Sequence, residues 1–197
     1  MGSEPDIAAA SSEDDDAQLL ERYQQGDAYA LDLLFLRYRC AAYRVAFRML
    51  GHEADALDAV QEGFIKALTH LGGFEQRSAF KTWLLRIVSN ASLDLGRRRR
   101  RRDTLSFDGL PDGEARGPMT QTEPSGELEH QDLRQALEAA LQQLPEGQRL
   151  TFVLHVDGQL SYREVADTLG ISIGTVMSRL FYARQKLRTL LGAHLIP

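Results

Sequence analysis

Three aromatic residues, Phe74, Phe80 and Trp83, are interleaved with cationic side chains ahead of an arginine run at residues 97–102. Phe80 and Trp83 lie among these cations, and unpaired bases stack on aromatic side chains in basic grooves. The residue types and their spacing therefore indicate contact with single-stranded nucleic acid. Two alternatives stay open: a run of one charge is often only a solvated surface, and the spacing of Phe80 and Trp83 favours the hydrophobic core.

A second stretch with nucleic-acid chemistry covers residues 160–191. Ser161 and Glu164 form an S-x-x-E capping box, which starts a helix by satisfying free backbone N–H groups. Gly170 supplies a turn, and Ser172 is placed to cap a second helix. The order helix, turn, helix predicts a DNA-binding unit whose second helix enters the major groove. The alternative is a helical hairpin with a solvated charged face.

Apolar residues at steps of three and four mark the packed face of this second helix: Val176, Leu180, Ala183, Leu187 and Leu190. Short polar side chains near its start suit base edges, and cations on both flanks suit phosphates. Thr175, Arg179, Tyr182 and Lys186 lie along one flank, Ser178 and Gln185 lie opposite the packed face, and Arg184 and Arg188 lie on the other flank.

One helix, predicted from residue 53 to the glycines at 72–73, carries acids instead of cations. Its apolar pattern consists of Leu57, Val60, Phe64, Leu68 and Leu71. Asp55, Asp58 and Glu62 recur at steps of three and four with Gln61 beside them, so they share a face opposite Val60 and Phe64. Such a face repels DNA, which indicates a protein partner if it is more than a solvated surface. A metal site on these carboxylates has no companion histidine along the helix.

Helices must position all these residues, because apolar residues recur at helical spacing almost throughout and no window shows sustained strand alternation. Further helices are predicted over residues 18–24, 29–50, 133–144 and 146–156, and one runs from residue 80 into the arginines. The sequence therefore predicts an all-α fold.

The formal net charge of −5 counts against nucleic acid, but it is an average over unlike segments. Residues 1–16 carry six acids and no Lys or Arg, and residues 103–129 carry seven acids and one arginine. We predict a disordered tail and a flexible linker there. Residues 17–102 hold fifteen basic and nine acidic side chains, and residues 130–197 hold seven and six. These two segments are predicted to form two small helical domains.

Catalytic patterns are missing from the sequence: it has no Gly-rich phosphate loop, no G-x-S-x-G and no H-E-x-x-H. We therefore expect no enzyme activity, cofactor or metal. The single cysteine, Cys40, cannot form an intrachain disulfide and is expected to be buried. Neither a signal peptide nor an apolar span of about 20 residues is found, so a cytoplasmic protein is expected.

In order and spacing, the two segments resemble a bacterial extracytoplasmic-function sigma factor close to the envelope-stress branch. The N-terminal motifs are D-A-V-Q-E-G-F at residues 58–64 and F-E-Q-R-S-A-F-K-T-W-L-L-R-I-V-S-N at residues 74–90. The C-terminal motifs are L-P-E-G-Q-R at residues 144–149 and the capping box, turn and second helix at residues 160–184.

This resemblance implies a subunit that directs core RNA polymerase to promoters. Residues 17–102 would bind polymerase and read and melt the minus-10 element, and residues 130–197 would read the minus-35 element. The polymerase clamp would bind Asp55, Asp58, Gln61 and Glu62. The minus-10 bases would meet Phe74, Arg77, Ser78, Lys81, Arg86 and Asn90. The minus-35 duplex would meet residues at the start and along the second helix: Ser172, Thr175, Ser178, Arg179, Tyr182 and Arg184.

The resemblance also implies partners: the clamp and flap surfaces of core polymerase, promoter DNA and an anti-sigma factor, with no small-molecule substrate. Three residues depart from the pattern of relatives. Met177 and Tyr182 replace arginines, and Arg77 stands where an acid is common. The alternative function is a helix-turn-helix regulator that binds duplex DNA without engaging polymerase.

Overall fold

A computed structural model of the chain describes residues 15–74, 78–105 and 125–195, and within these it places no side chains for residues 103–105, 125–131 and 193–195. The described residues form eight α-helices and one 3₁₀ turn, Leu71–Gly73, and contain no strand. The helices are α1 Asp16–Gln24, α2 Ala28–Leu50, α3 Glu53–His70, α4 Phe80–Leu105, α5 Ser125–Gln142, α6 Glu146–Val156, α7 Tyr162–Leu169 and α8 Ile173–Leu195. The predicted all-α fold is confirmed.

Helix α1 begins inside the segment predicted to be a disordered tail. Asp15 caps the helix and forms a capping box with Gln18. Asp16 pairs with Arg37 of α2 at 2.7 Å and accepts a hydrogen bond from Tyr38. For these two acids the prediction was wrong, because both have partners that charge counting does not reveal. The rest of that segment, residues 1–14, lies outside the described residues.

The predicted linker, residues 103–129, is helical at both described ends. Helix α4 continues through the arginines to Leu105, and α5 begins at Ser125. Arginine is a good helix former, so the run prolongs α4 instead of ending it. Residues 106–124 lie outside the described residues.

Small residues bring α3 against α4. The buried residues of α3 are Ala56, Ala59, Gly63 and Ala67. At Gly63 the two backbones are so close that a Cβ would lie 2.8 Å from Val88 Cγ2. Leu57 and Leu68, predicted to mark the packed face, are 54% and 47% exposed. The spacing predicted the helix correctly, and Val60, Phe64 and Leu71 pack on the core as predicted. Leu57 and Leu68 do not, because alanine and glycine permit a closer approach to α4 than leucine does.

An aromatic cluster fills the space between α2, α3 and α4. Phe80 is 2% exposed, and its ring centroid lies 6.0 Å from that of Tyr38 and 5.7 Å from that of Trp83. Trp83 packs on the same core but stays partly exposed. The core assignment of Phe80 is confirmed. Cys40, expected to be buried, is exposed on α2, so that expectation was wrong.

In the C-terminal half, the predicted turn chemistry is present. Ser161 and Glu164 form the capping box, and α7 ends at Gly170 with φ 63°, a left-handed conformation that favours glycine. Helix α8 lays the predicted face on the rest of the domain, with Val176, Leu180 and Ala183 fully or almost fully buried.

The two halves pack on each other, with α2 against α5 and α6, and α4 against α7. One apolar core runs through both halves and includes Leu85 and Leu154. Arg48 of α2 lies 3.6 Å from Glu138 and 3.8 Å from Asp157. Burial raises the pKa of Asp157 although Arg48 opposes the shift. We call this packing the closed arrangement. No helix in the described part of the chain is both long and apolar enough to cross a membrane.

Candidate protein and nucleic-acid interfaces

Helix α8 presents the candidate base-reading residues at its exposed N-terminal half. The Ser172 hydroxyl accepts a hydrogen bond from the Thr175 N–H at 3.1 Å and lies 2.9 Å from the Thr175 hydroxyl. Ser172 is thus the helix cap, as predicted. The Ser178 hydroxyl donates to the Gly174 carbonyl at 2.9 Å and is exposed. Its oxygen can still accept a hydrogen bond from a base amino group.

The longer side chains lie on two flanks of α8. Arg179 is partly buried beside Gly147, where a Cβ would lie 3.2 Å from its guanidinium carbon. Tyr182 follows almost one turn later and is 55% exposed. Arg184 is exposed five residues after Arg179, about 140° away around the helix. Two cations therefore flank the central Ser178, as an element that lies between two phosphate rows requires.

Sequence reasoning missed an apolar stripe on α8. Ile173, Met177 and Phe181 recur every four residues, and Phe181 is 63% exposed. The Phe181 ring meets that of Tyr182 edge-on at 5.4 Å. The periodicity was visible in the sequence, since these residues lie outside the packed face. In a major groove, such side chains suit thymine methyl groups.

The acidic face of α3 is divided between exposed and paired residues. Asp58 and Gln61 are exposed. Glu62 pairs with Lys66 at 2.7 Å and with Arg98 at 3.0 Å, and Asp55 pairs with Arg99. Hydrogen bonds from Lys66 and Arg98 lower the pKa of Glu62 although partial burial opposes the shift.

These ion pairs give the arginine run a structural role that its local sequence did not show. Its first four members all pair with acids: Arg98 and Arg99 with α3, and Arg97 and Arg100 with Glu146 of α6 at 3.1 and 2.6 Å. The acids lie 36 or more residues away in the chain. The run therefore connects the acidic face of α3 to the C-terminal half.

Three apolar residues, Leu57, Ile65 and Leu68, lie on the outer side of α3 and are 54%, 56% and 47% exposed. Carboxylates surround them on the same helix. A surface that mixes exposed leucines with acids is typical of a protein-binding site whose partner is basic and partly apolar.

The candidate minus-10 residues are only partly brought together. Phe74 and Trp83 lie with ring centroids 4.9 Å apart, both partly exposed, and form what we call the aromatic platform. Arg86 and Asn90 are exposed one turn apart on α4, and Ser78 is exposed in the loop before it. These residues provide stacking surfaces, a cation and hydrogen-bonding groups.

Lys81 does not share this surface. It lies nine residues before Asn90, half a turn out of phase around α4. A hydrogen bond from Ser161 is the main cause that lowers the pKa of Glu164 in the C-terminal half, and the charge of Lys81 adds to this shift. The next residue, Thr82, donates a hydrogen bond to Glu164 at 3.1 Å. Arg77 lies outside the described residues.

The described residues form a helix-turn-helix, a second surface that carries the aromatic platform with Arg86, and a helix with an acidic, partly apolar outer face. This combination is typical of the class of DNA-binding transcription proteins. Two family models match the chain: Sigma-70 region 2 over residues 34–102 and Sigma-70 region 4 over residues 134–187.

Curated relatives cover most of the chain. It is 34% identical over 178 residues to the RNA polymerase sigma-H factor of Pseudomonas aeruginosa, covering 88% of this chain and 92% of that protein. It is 35% identical over 174 residues to the ECF RNA polymerase sigma-E factor of Escherichia coli K12, covering 86% and 91%. The SigE factor of Mycolicibacterium smegmatis is 37% identical over 172 residues, and the chain, 86% of which is covered, spans 65% of that protein's length.

The chain therefore belongs to the extracytoplasmic-function sigma factors, a family of transcription initiation factors. Two solved structures are similar over nearly the whole fold. One is CnrH in complex with the cytosolic domain of CnrY, with a TM-score of 0.68 and 28% identity over 91% of this chain and 99% of that one. The other is the sigma factor RpoE of Bartonella quintana with the anti-sigma factor NepR, with a TM-score of 0.66 and 27% identity over 82% and 96%.

Proposed function

We propose that this protein binds core RNA polymerase in the cytoplasm and selects promoters by their minus-10 and minus-35 elements. Residues 17–102 would dock on polymerase and open the minus-10 DNA, and residues 130–197 would hold the minus-35 duplex. RNA synthesis itself belongs to polymerase, and this chain supplies no catalysis. The observation that carries the proposal is the presence, on one chain, of an acidic, partly apolar helix face and a separate helix-turn-helix.

Docking would use the outer surface of α3. Leu57 and Ile65 would be buried against an apolar strip of the clamp, and Asp58, Glu62 and Gln61 would meet basic and polar groups around it. Burial of leucine and isoleucine supplies most of the affinity in such an interface, and the charges orient the partner. The ion pair between Glu62 and Arg98 would be exchanged for one with polymerase.

DNA opening would use the aromatic platform. A base turned out of the duplex would stack on Trp83 or Phe74, with Arg86 close enough to meet the backbone and Asn90 or Ser78 available for base edges. Stacking on an aromatic ring contributes about 1–3 kcal/mol per base, which offsets much of the cost of unstacking.

Duplex recognition would use α8. Ser178, Thr175 and the start of the helix at Ser172 would face base edges, and Arg179 and Arg184 would hold phosphates on the two sides of the groove. Tyr182 would add a hydroxyl where many relatives carry arginine. Met177 also stands where relatives carry an arginine. Binding to the minus-35 element should therefore depend less on salt than it does in relatives that carry both arginines.

Control by an anti-sigma factor is part of the proposal, because the similar RpoE structure contains the anti-sigma factor NepR. The arginine run pairs with Asp55 and Glu62 inside the N-terminal half, and in the closed arrangement Arg97 and Arg100 of the same run also pair with Glu146 of the C-terminal half. A partner that stabilised this arrangement would hold the run against those carboxylates and so keep them from polymerase.

Run-off transcription with purified core polymerase and a promoter selected by the full chain tests the proposal. We expect specific transcripts only when the chain is present. Asp58→Arg and Glu62→Arg should reduce the transcripts and the co-elution with polymerase in gel filtration, whereas Asp32→Arg, which changes an exposed acid on α2, should change neither. If the chain binds duplex DNA but does not co-elute with polymerase, it is a helix-turn-helix regulator and the proposal is wrong.

A further inference from the structure

A cavity of about 390 Å³ lies where the two halves meet, between the end of α2, the start of α3, α4 and the junction of α5 and α6. Its charged and titratable lining residues are His52, Asp55, Arg99, Arg100, Glu146 and Arg149. Volumes from about 300 Å³ upward are typical of small-molecule sites in proteins. The cavity is therefore large enough for a small metabolite.

Arg149 is the unusual member of this lining. It is only 6% exposed, and within the described part of the chain its guanidinium group donates one hydrogen bond, to the side-chain amide oxygen Oε1 of Gln142. Its Nε is buried without a partner, and no described carboxylate lies within 4.0 Å of its guanidinium. A buried cation without a counter-ion is costly, so the site is one negative charge short.

The two carboxylates that line the cavity, Asp55 and Glu146, do not neutralise Arg149, since each already pairs with another arginine. Arg99 pairs with Asp55, and Arg100 pairs with Glu146. Three arginines thus face two carboxylates. Burial and the neighbouring charge of Arg100 lower the pKa of Arg149, although Glu146 opposes the shift, which agrees with an excess of positive charge around the cavity.

We propose that the cavity binds a small anion that carries phosphate groups, with Arg149 at its base and Arg100 and Arg99 at its rim. Guanidinium groups bind phosphate oxygens in pairs of parallel hydrogen bonds, and the planar fork of arginine fits phosphate better than ammonium does. Arg149 belongs to the C-terminal half and the other two to α4. A ligand held by all three would therefore tie the two halves together in the closed arrangement.

Isothermal titration calorimetry of the full chain with inorganic pyrophosphate, at constant ionic strength, tests this proposal. We expect saturable binding with one site per chain. Arg100→Gln should weaken the affinity about tenfold, because a hydrogen bond to a charged group is removed. Arg101→Gln removes the same charge from the same run but from a residue outside the cavity, and it should change the affinity less than twofold.

Arg149→Gln should abolish binding, and thermal unfolding shows whether this variant is folded. If it is not, Arg149→Lys, which keeps the charge and loses the fork, should fold and weaken binding. Parallel titrations with ADP and with free phosphate show whether the ligand is a nucleotide or an inorganic anion. Equal losses in the Arg100 and Arg101 variants, or no binding by the folded full chain, would overturn the proposal. The titration contains neither polymerase nor promoter DNA, so its result does not depend on whether the proposed function is correct.

Discussion

The acidic face of α3 and the exposed face of α8 differ in how many of their charged side chains already form ion pairs within the chain. Two of the four candidate residues on α3 are ion-paired with the arginine run. On α8, neither Arg179 nor Arg184 has an ion pair within the described residues, and Ser178 and Tyr182 are exposed. The DNA-reading surface is thus already presented in the closed arrangement, whereas the protein-binding surface is partly self-occupied. Regulation that stabilises this arrangement should act on polymerase binding before it acts on duplex recognition.

The largest effect should come from a substitution on the exposed face of α8, measured as a loss of DNA affinity. We expect Arg179→Ala to weaken binding to a minus-35 duplex by about 1–3 kcal/mol, which is roughly 5- to 150-fold, because it removes a charge-assisted contact in the groove. Electrophoretic mobility shift with a duplex selected by the full chain measures this. Arg134→Ala, an exposed arginine on α5, is the control and should leave the affinity within twofold. Equal losses in both variants would mean that Arg179 contributes only net charge.

The packing that sets the orientation of α3 can be tested at Gly63. A methyl group there would lie 2.8 Å from Val88 Cγ2 and 3.1 Å from its Cα, so Gly63→Ala forces α3 away from α4. We expect a loss of roughly 1–2 kcal/mol in the free energy of unfolding, measured in urea. Gly96→Ala on α4 meets only Leu50 at 3.4 Å and should be neutral or stabilising by up to about 1 kcal/mol through helix propensity. Stabilisation by both variants would contradict the close packing.

Gly63 also shows which parts of the fold follow from the sequence. The capping box of Ser161 and Glu164 and the turn at Gly170 are local, since the backbone groups they satisfy lie within a few residues, and each was predicted at its observed place. The buried face of α3 is not local. It depends on the shape of α4, and a search for large apolar residues selects Leu57 and Leu68 although the contact is made by alanines and a glycine.

The candidate sites also divide into those positioned by one helix and those that depend on contacts between distant residues. The DNA-facing residues of α8 were predictable because one helix positions all of them. The pairing of Arg98 with Glu62 joins residues 36 positions apart, and no local pattern encodes it. Lys81 was grouped with Arg86 and Asn90 by composition, yet it lies on the other side of α4, near Glu164. Helical phase would have separated them.

A substitution at Met177 that increases DNA affinity would show which flank of α8 lies beside the DNA backbone. Met177 is 55% exposed on the flank that also carries Arg184. Met177→Arg should add a phosphate contact and make the slope of log affinity against log salt more negative by about 0.9. We expect about a fivefold gain in duplex affinity at low salt. Thr189→Arg, three turns further along α8, should alter the slope much less. Identical slopes for the two variants would show that Met177 does not lie beside the DNA backbone.

The smallest expected effect concerns self-occupation of α3. Exposed ion pairs contribute about 0.2–1 kcal/mol each, so replacing Arg98 and Arg99 together with glutamine should release Glu62 and Asp55 and raise the affinity for core polymerase about two- to fivefold. Arg101→Gln with Arg102→Gln removes the same charge from the exposed end of the run and serves as the control. Biolayer interferometry at two salt concentrations measures both. The gain should shrink at high salt, where the pairs are already screened. If the two double variants change the affinity equally, the arginines act through net charge, and the acidic face of α3 is not self-occupied in solution.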